Sequence, residues 1–86
     1  MNLKETSKFQ KLRKKVKETA EKESLKQAIV FVLSNPEAGK KLKGEFKDLR
    51  AYRYSVKGQP RRLIYKIEKE DLILFSFGPR QGVYKQ

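Results

Sequence analysis

The feature of this sequence that most constrains its fold is a change in the spacing of its apolar residues near Leu49. Before that point they recur every three or four residues, as they do on one face of a helix. After it, tyrosines and aliphatic residues alternate with polar ones, as they do along a strand with one buried face. A chain whose helices come first and whose strands follow is expected to form an α+β fold in two packed layers.

Two helices are predicted in the first half of the chain, and each is expected to begin at a capping box. In that pattern a serine caps the first turn and a glutamine three residues later completes the cap. The two boxes are Ser7 with Gln10 and Ser24 with Gln27. The second helix should end near Ser34, because the residue before a proline avoids the helical region. The two helices are predicted to form an antiparallel hairpin.

Three strands with short turns form the predicted sheet. The strands are expected at residues 49–56, 61–68 and 71–77, and the turns at residues 57–60 and 69–70. Short segments at residues 2–5 and 82–85 could add edge strands. Residues 1–86 are therefore interpreted as one small domain, in which an N-terminal helical hairpin packs on one face of a small antiparallel sheet.

The register of the first hairpin decides which side chains share a face of the sheet. If residues 57–60 form the turn, Val56 lies opposite Arg61, and Tyr52 lies opposite Tyr65 on the face that contacts the helices. The other face would then carry cations beside apolar side chains: Arg53, Arg62, Lys66, Ile64, Ile73, Phe75 and Phe77. Cations beside aromatic rings on a sheet are typical of surfaces that bind single-stranded nucleic acid.

The charge of the chain indicates a polyanionic partner. It has 22 Lys and Arg residues against 10 Asp and Glu residues, for a formal net charge of +12. Such an excess favours nucleic acid, an acidic protein or an anionic membrane surface as the partner, whereas the plain alternative is a solvated surface. No apolar run approaches the roughly 20 residues of a membrane-spanning helix, and the polar N-terminus is unlike a signal peptide. A cytoplasmic protein is therefore expected.

The residue types that are missing narrow the chemistry. The sequence has no cysteine and no histidine, which excludes thiolate chemistry, disulfides and the common zinc sites. A ribonuclease that uses histidine as its acid and base is excluded as well. Proton transfer would have to come from tyrosine, lysine, a carboxylate or the RNA itself. We expect no metal, no small-molecule cofactor and no membrane partner.

Four short elements occur in order along the second half of the chain. They are Leu42-Lys43-Gly44, Tyr52-Arg53, Arg62-Leu63-Ile64-Tyr65, and Gly78-Pro79-Arg80 with Val83-Tyr84. Their order and spacing resemble the RelE/ParE superfamily of bacterial and archaeal toxins. Together with the helix pair before them, they extend the resemblance over nearly the whole chain.

The resemblance implies a small toxin that is neutralised by a cognate acidic antitoxin, a segment of which wraps the basic groove. The RelE branch of the superfamily cuts messenger RNA in the ribosomal decoding site. The ParE branch blocks DNA gyrase without nuclease chemistry. We favour the RelE-like function, a metal-independent endoribonuclease, and keep gyrase inhibition as the alternative. A member that binds its antitoxin or nucleic acid and cuts nothing is a third interpretation.

The resemblance also implies roles for single residues. By position, Arg62 matches the family arginine of the central strand, Arg80 the arginine after the glycine, and Tyr84 the terminal tyrosine. Arg53 stands where one RelE catalytic lysine would be. Arg62 and Arg80 would clamp the phosphate, and Arg53 would assist them or act on the leaving-group side. Tyr84 would stack on a base or accept the 2′ proton. Further RNA contacts are predicted at Lys41, Lys43, Lys66 and Phe77, although Phe77 could pack in the core instead.

Overall fold

Two helices cover one face of a five-stranded sheet in the part of the chain that the computed structural model describes, residues 1–79. The elements in order are β1 (Asn2–Glu5), α1 (Ser7–Lys15), α2 (Thr19–Ser34), β2 (Lys40–Lys41), β3 (Arg50–Val56), β4 (Gln59–Glu68) and β5 (Asp71–Gly78). The strand order across the sheet is β1-β5-β4-β3-β2. This arrangement confirms the predicted α+β fold and the edge strand at residues 2–5. The predicted strand at residues 82–85 lies outside the described residues.

The sheet is mixed rather than wholly antiparallel. β1 runs parallel to β5, whereas the other neighbouring strands are antiparallel. A parallel pair needs a long crossover connection, and here both helices and the rest of the sheet lie between its two strands. Among residues 1–79, no helix is long and apolar enough to cross a membrane.

Both helices begin at different residues from those predicted. Thr6, not Ser7, caps α1, because its Oγ1 accepts a hydrogen bond of 3.1 Å from the N–H of Phe9. α2 begins at Thr19, more than a turn before the predicted cap at Ser24. The intervening alanine, glutamates and lysine are strong helix formers, so nothing stops the helix from extending toward its N-terminus. The predicted end at Ser34 is confirmed.

The core lies between the helices and the sheet. α1 packs on β5, and α2 packs on β3 and β4. The buried residues of the core are Phe9, Leu25, Ala28, Val32, Leu63, Tyr65, Leu72, Leu74 and Phe77. The rings of Phe9 and Phe77 meet edge to face with their centroids 5.1 Å apart, which is a favourable geometry for two aromatic side chains.

The β3–β4 hairpin has a tighter turn than predicted. Lys57 and Gly58 form a two-residue turn, and both have positive φ angles (52° and 79°), as the turns best suited to such hairpins require. Val56 therefore pairs with Gln59 and not with Arg61. The predicted register is wrong by two residues. Because side chains alternate with a period of two, the predicted faces of these two strands are nevertheless right.

A bulge in β5 changes the face of its last residues. Tyr65 pairs with Leu74, but the preceding Ile64 pairs with Ser76, so Phe75 is an extra residue opposite β4. Beyond the bulge, Phe77 pairs with Leu63 on the helix side and is 8% exposed. The prediction that placed Phe77 on the outer face as an RNA contact is therefore wrong. The bulge moves its ring into the core.

Candidate nucleic-acid interface

A basic groove lies on the face of the sheet that the helices leave uncovered. Its volume is about 680 Å³. Ala51, Leu42 and Phe46 provide its apolar surface, and its other lining residues are all cations: Lys40, Lys41, Lys43, Arg53 and Arg62. Among residues 1–79, no carboxylate lines the groove. A concave surface with one sign of charge and apolar walls concentrates the field of its cations on any ligand that enters.

Two arginines face each other across the strands that form the groove. Arg53 of β3 pairs directly with Arg62 of β4. Side chains in such positions leave the sheet about 5 Å apart, and like charges there destabilise the pair. The side chain of Arg53 is exposed and that of Arg62 is half-buried, and no carboxylate among residues 1–79 forms an ion pair with either. An anion between the two guanidinium groups would remove this repulsion.

A hydrogen-bonded turn at residues 36–39 precedes Lys40 and Lys41 of the groove. The Tyr65 hydroxyl accepts a bond of 2.8 Å from the N–H of Gly39 and donates one of 2.7 Å to the carbonyl of Pro36. The Arg50 guanidinium donates a bond of 2.8 Å to the carbonyl of Gly39. These bonds tie the turn to β3 and β4, so that β2 begins at Lys40 beside the groove.

The turn can approach Tyr65 this closely only because residue 39 is a glycine. A Cβ there would lie 2.5 Å from the Tyr65 hydroxyl oxygen, well inside van der Waals contact. Burial raises the pKa of that hydroxyl, which therefore stays protonated and able to donate. Tyr65 was predicted only as a core residue. Its hydrogen-bond partners are 26 and 29 positions away in the sequence, so no local sequence pattern predicts these bonds.

The connector between β2 and β3 folds back over the sheet. Gly44 has a positive φ of 67° and is the first residue of the 3₁₀ turn Gly44–Phe46. The N–H of Leu42 donates to the carbonyl of Leu49 (3.0 Å), which closes the loop on itself. Phe46 and Leu42 thereby become walls of the groove.

The structure brings together four of the residues predicted for the site. Arg53, Arg62, Lys41 and Lys43 line the basic groove, together with Lys40, which was not predicted. The only feature of the sequence that pointed to Lys40 as a site residue was its position next to Lys41.

Lys66 lies outside the basic groove. Its Nζ is 3.5 Å from a carboxylate oxygen of Glu68 and 5.7 Å from the centre of the Phe75 ring. It lines a neighbouring cleft whose other charged residues are Lys41, Lys47, Arg50, Asp48 and Glu68, and Lys41 also belongs to the basic groove. The two clefts therefore adjoin at Lys41, but the second one also contains carboxylates.

Arg80 and Tyr84 lie outside the described residues, so their predicted roles are not tested. Gly78, the last residue of β5, pairs with Arg62. Arg80 follows Gly78 by two positions in the sequence. Within residues 1–79, the acidic side chains form no cluster that could hold a metal ion.

Comparisons of this chain with known proteins match it to toxins of toxin–antitoxin systems. The sequence model of a family described as the ParE-like toxin of type II bacterial toxin–antitoxin systems matches residues 3–86. The isolated E. coli RelE toxin superposes with a TM-score of 0.70 at 29% identity, over 98% of this chain and 90% of that one. A search of curated protein sequences finds no match.

Two further solved structures share the fold. A chain of the intact E. coli RelBE toxin–antitoxin complex superposes with a TM-score of 0.70 at 22% identity, over 93% of this chain and 96% of that one. A mutant of E. coli RelE in the free state superposes with a TM-score of 0.68 at 26% identity, over 93% of this chain and 83% of that one.

Proposed function

We propose that this chain, which belongs to the ParE-like toxins of type II bacterial toxin–antitoxin systems, is an endoribonuclease that cleaves messenger RNA. The observation that carries the proposal is the pairing of Arg53 with Arg62 in a groove that the described residues line with lysines and with no carboxylate. A pair of unneutralised guanidinium groups costs stability, and a phosphate is the anion that their forked geometry fits best. The RelE fold of the chain agrees with this function.

In the proposed reaction the 2′-hydroxyl of one nucleotide attacks the phosphate that follows it. The bond from O2′ to phosphorus forms as the bond from phosphorus to O5′ breaks, and the products are a 2′,3′-cyclic phosphate and a 5′-hydroxyl. O2′ loses a proton and O5′ gains one. Holding the attacking oxygen in line and neutralising the phosphorane supply much of the acceleration in such reactions.

Each cation of the site has a proposed part in this reaction. Arg62, half-buried in the groove, would hold the non-bridging phosphate oxygens together with Arg80. Arg53 lies on the neighbouring strand and would stabilise the leaving O5′ side. Tyr84 would accept the 2′ proton or stack on a base, because cations beside a phenol lower its pKa. Lys41 and Lys43 would attract and orient the RNA backbone.

The proposed partners follow from charge and from the family. As the toxin of a type II system, the chain has an antitoxin as its partner. An acidic antitoxin segment would neutralise the same basic groove that binds RNA. We further propose that the RNA substrate is messenger RNA in the ribosomal decoding site, which places the activity in the cytoplasm.

Inhibition of DNA gyrase is the second candidate function, since the matching family model is that of ParE-like toxins. The two functions are separated by one pair of assays on the purified toxin. Messenger RNA on ribosomes is incubated with the toxin and its new 5′ ends are mapped by primer extension, while supercoiling by gyrase is followed in parallel. New 5′ ends with normal supercoiling support the nuclease. Blocked supercoiling with intact RNA would establish the alternative.

The salt dependence of binding tests the groove itself. If the groove contacts about four phosphates, the slope of log K against log salt should be about −3 for a single strand. The same measurement on Lys11→Ala, which removes an exposed cation from α1 outside the groove, should give the same slope. A slope near zero would contradict a phosphate-binding groove.

A further inference from the structure

A second cavity lies next to the basic groove, and the proposed reaction does not use it. Its volume is about 410 Å³. The lining is mainly apolar and includes Phe46, Leu49, Ile64 and Phe75, with Lys8 and Ser76 among the polar members. We call it the Phe75 cavity.

The Phe75 cavity and the basic groove adjoin each other. Phe46 lines both of them. Ile64, which contributes to the Phe75 cavity, is two residues from Arg62 on β4 and points to the same face, so their Cα atoms are about 6.6 Å apart. Ile64 also pairs with Ala51, which lines the basic groove. A ligand held by Arg62 therefore lies one side-chain position away from the cavity.

The bulge in β5 creates this cavity. Along a regular strand, consecutive side chains point to opposite faces, but Phe75 and Ser76 follow each other and both line the cavity. Bulges are often found beside functional sites, where they redirect a side chain. Here the bulge keeps Phe75 on the outer face while Phe77 enters the core, so an aromatic ring stays beside the cations.

The chemistry of the walls favours a flat aromatic ligand. Phe46 and Phe75 are both half-buried, and both line the cavity with aromatic side chains. The Nζ of Lys66 lies 5.7 Å from the centre of the Phe75 ring, so the cavity is bordered by a cation as well. Aromatic side chains next to a positively charged track are how proteins hold the bases of single strands.

We propose that the Phe75 cavity binds an unpaired nucleobase of the RNA whose neighbouring phosphate lies between Arg53 and Arg62. The inference deepens the proposed function, on which it rests for the identity of the ligand as single-stranded RNA. The base in this cavity would set the register of the RNA in the groove. It would thereby select which linkage lies between the arginines.

Three variants separate this role from a loss of folding. Phe75→Leu keeps an apolar side chain but removes the aromatic face, and Phe75→Tyr keeps that face. Ile73→Leu is the matched control, because Ile73 is also half-buried on the outer face of β5 but lines neither cavity. Thermal unfolding of all three variants shows whether each is folded under the binding conditions.

The probe is a short single-stranded RNA with 2′-O-methyl groups, which cannot be cleaved by 2′ attack. Its binding is measured by fluorescence anisotropy, together with a series in which one abasic site is moved along the strand. For the wild type, Phe75→Tyr and Ile73→Leu, one abasic position should weaken binding about tenfold. Phe75→Leu should bind the complete strand about tenfold more weakly and show no such position.

The outcomes distinguish the cavity from the groove. Equal affinity for complete and abasic strands at every position, with Phe75→Leu binding like the wild type, would overturn the base site and leave the groove intact. Absence of binding to every strand would overturn both this inference and the proposed function. Loss of antitoxin binding in Phe75→Leu with unchanged RNA binding would show that the cavity holds an apolar antitoxin side chain, and would also overturn the inference.

Discussion

Arg53 of β3 lies directly opposite Arg62 of β4, and neither side chain has a carboxylate partner among residues 1–79. Two facing cations on neighbouring strands destabilise a sheet, so the pair lowers the stability of the protein without a ligand. The same pair provides four forked N–H donors for a phosphate at one place. We infer that binding, and not folding, explains this arrangement.

The first prediction is that removing one of the facing cations stabilises the free protein. Arg53→Gln should raise the free energy of unfolding by about 0.2–1 kcal/mol while it weakens RNA binding. The gain should shrink in high salt, which screens the repulsion that the substitution removes. Thermal unfolding at low and high salt measures both effects. Lys11→Gln makes the same charge change on α1, and a gain of equal size in that control would contradict the prediction.

The second prediction concerns the hydroxyl of Tyr65. Tyr65→Phe leaves the N–H of Gly39 and the carbonyl of Pro36 without their partner, which should cost about 1–3 kcal/mol of stability. It should also weaken RNA binding, because the turn that positions Lys40 and Lys41 is released. Chemical unfolding and anisotropy at a temperature where the variant is folded check the two effects separately.

Tyr52→Phe is the matched control for that prediction. The ring of Tyr52 stacks on Phe31 with centroids 5.3 Å apart, and this contact is retained when only the hydroxyl is removed. Stability and RNA binding should both stay near the wild-type values. If Tyr65→Phe changes stability but leaves RNA affinity unaltered, the turn does not position the lysines.

The third prediction is an alkaline loss of stability that depends on Tyr54. Its hydroxyl is buried without a hydrogen-bond partner in the described part of the chain, and burial raises its pKa to about 12. Because the pKa in the unfolded chain is about 10, the stability linked to the neutral form is complete below pH 10. It is lost as the pH rises through about 12.

Tyr54→Phe should remove this part of the pH dependence. At neutral pH the variant should be as stable as the wild type or more so, since it no longer buries an unpaired hydroxyl. Its advantage should grow between pH 10 and pH 12, as measured by denaturant unfolding of both proteins at each pH. An advantage that stays constant over this interval would contradict the assignment.

The sequence was sufficient to predict which side chains of β3 and β4 lie on the same face of the sheet. Because side chains alternate along β3 and β4, Arg53 and Arg62 are predicted on the same face of the sheet. A register error of two residues does not change this prediction. The sequence was not sufficient for the register, because a tight turn requires Lys57 to adopt a positive φ that its side chain does not signal. With the observed two-residue turn, Arg53 lies directly opposite Arg62. With the longer predicted turn, the two arginines would not have been direct partners.

Other features that the sequence did not reveal depend on tertiary contacts. The bulge at Phe75 shows no Gly or other local marker, and it is retained because Phe77 gains burial against Phe9. The bond between Tyr65 and Gly39 joins segments far apart in the chain. Lys40, which lines the groove, directly follows the glycine that this bond holds. Arg80 and Tyr84 remain predictions from their position in the sequence.

The most direct test of the central claim is the rate of RNA cleavage under single-turnover conditions by variants of Arg62. With ribosome-bound messenger RNA as the substrate, Arg62→Ala should cleave about 10²- to 10³-fold more slowly than the wild type. Arg62→Lys keeps the charge without the fork and should fall between them, while Lys11→Ala should be unchanged. Cleavage by Arg62→Ala at the wild-type rate would contradict the proposal that this arginine holds the scissile phosphate.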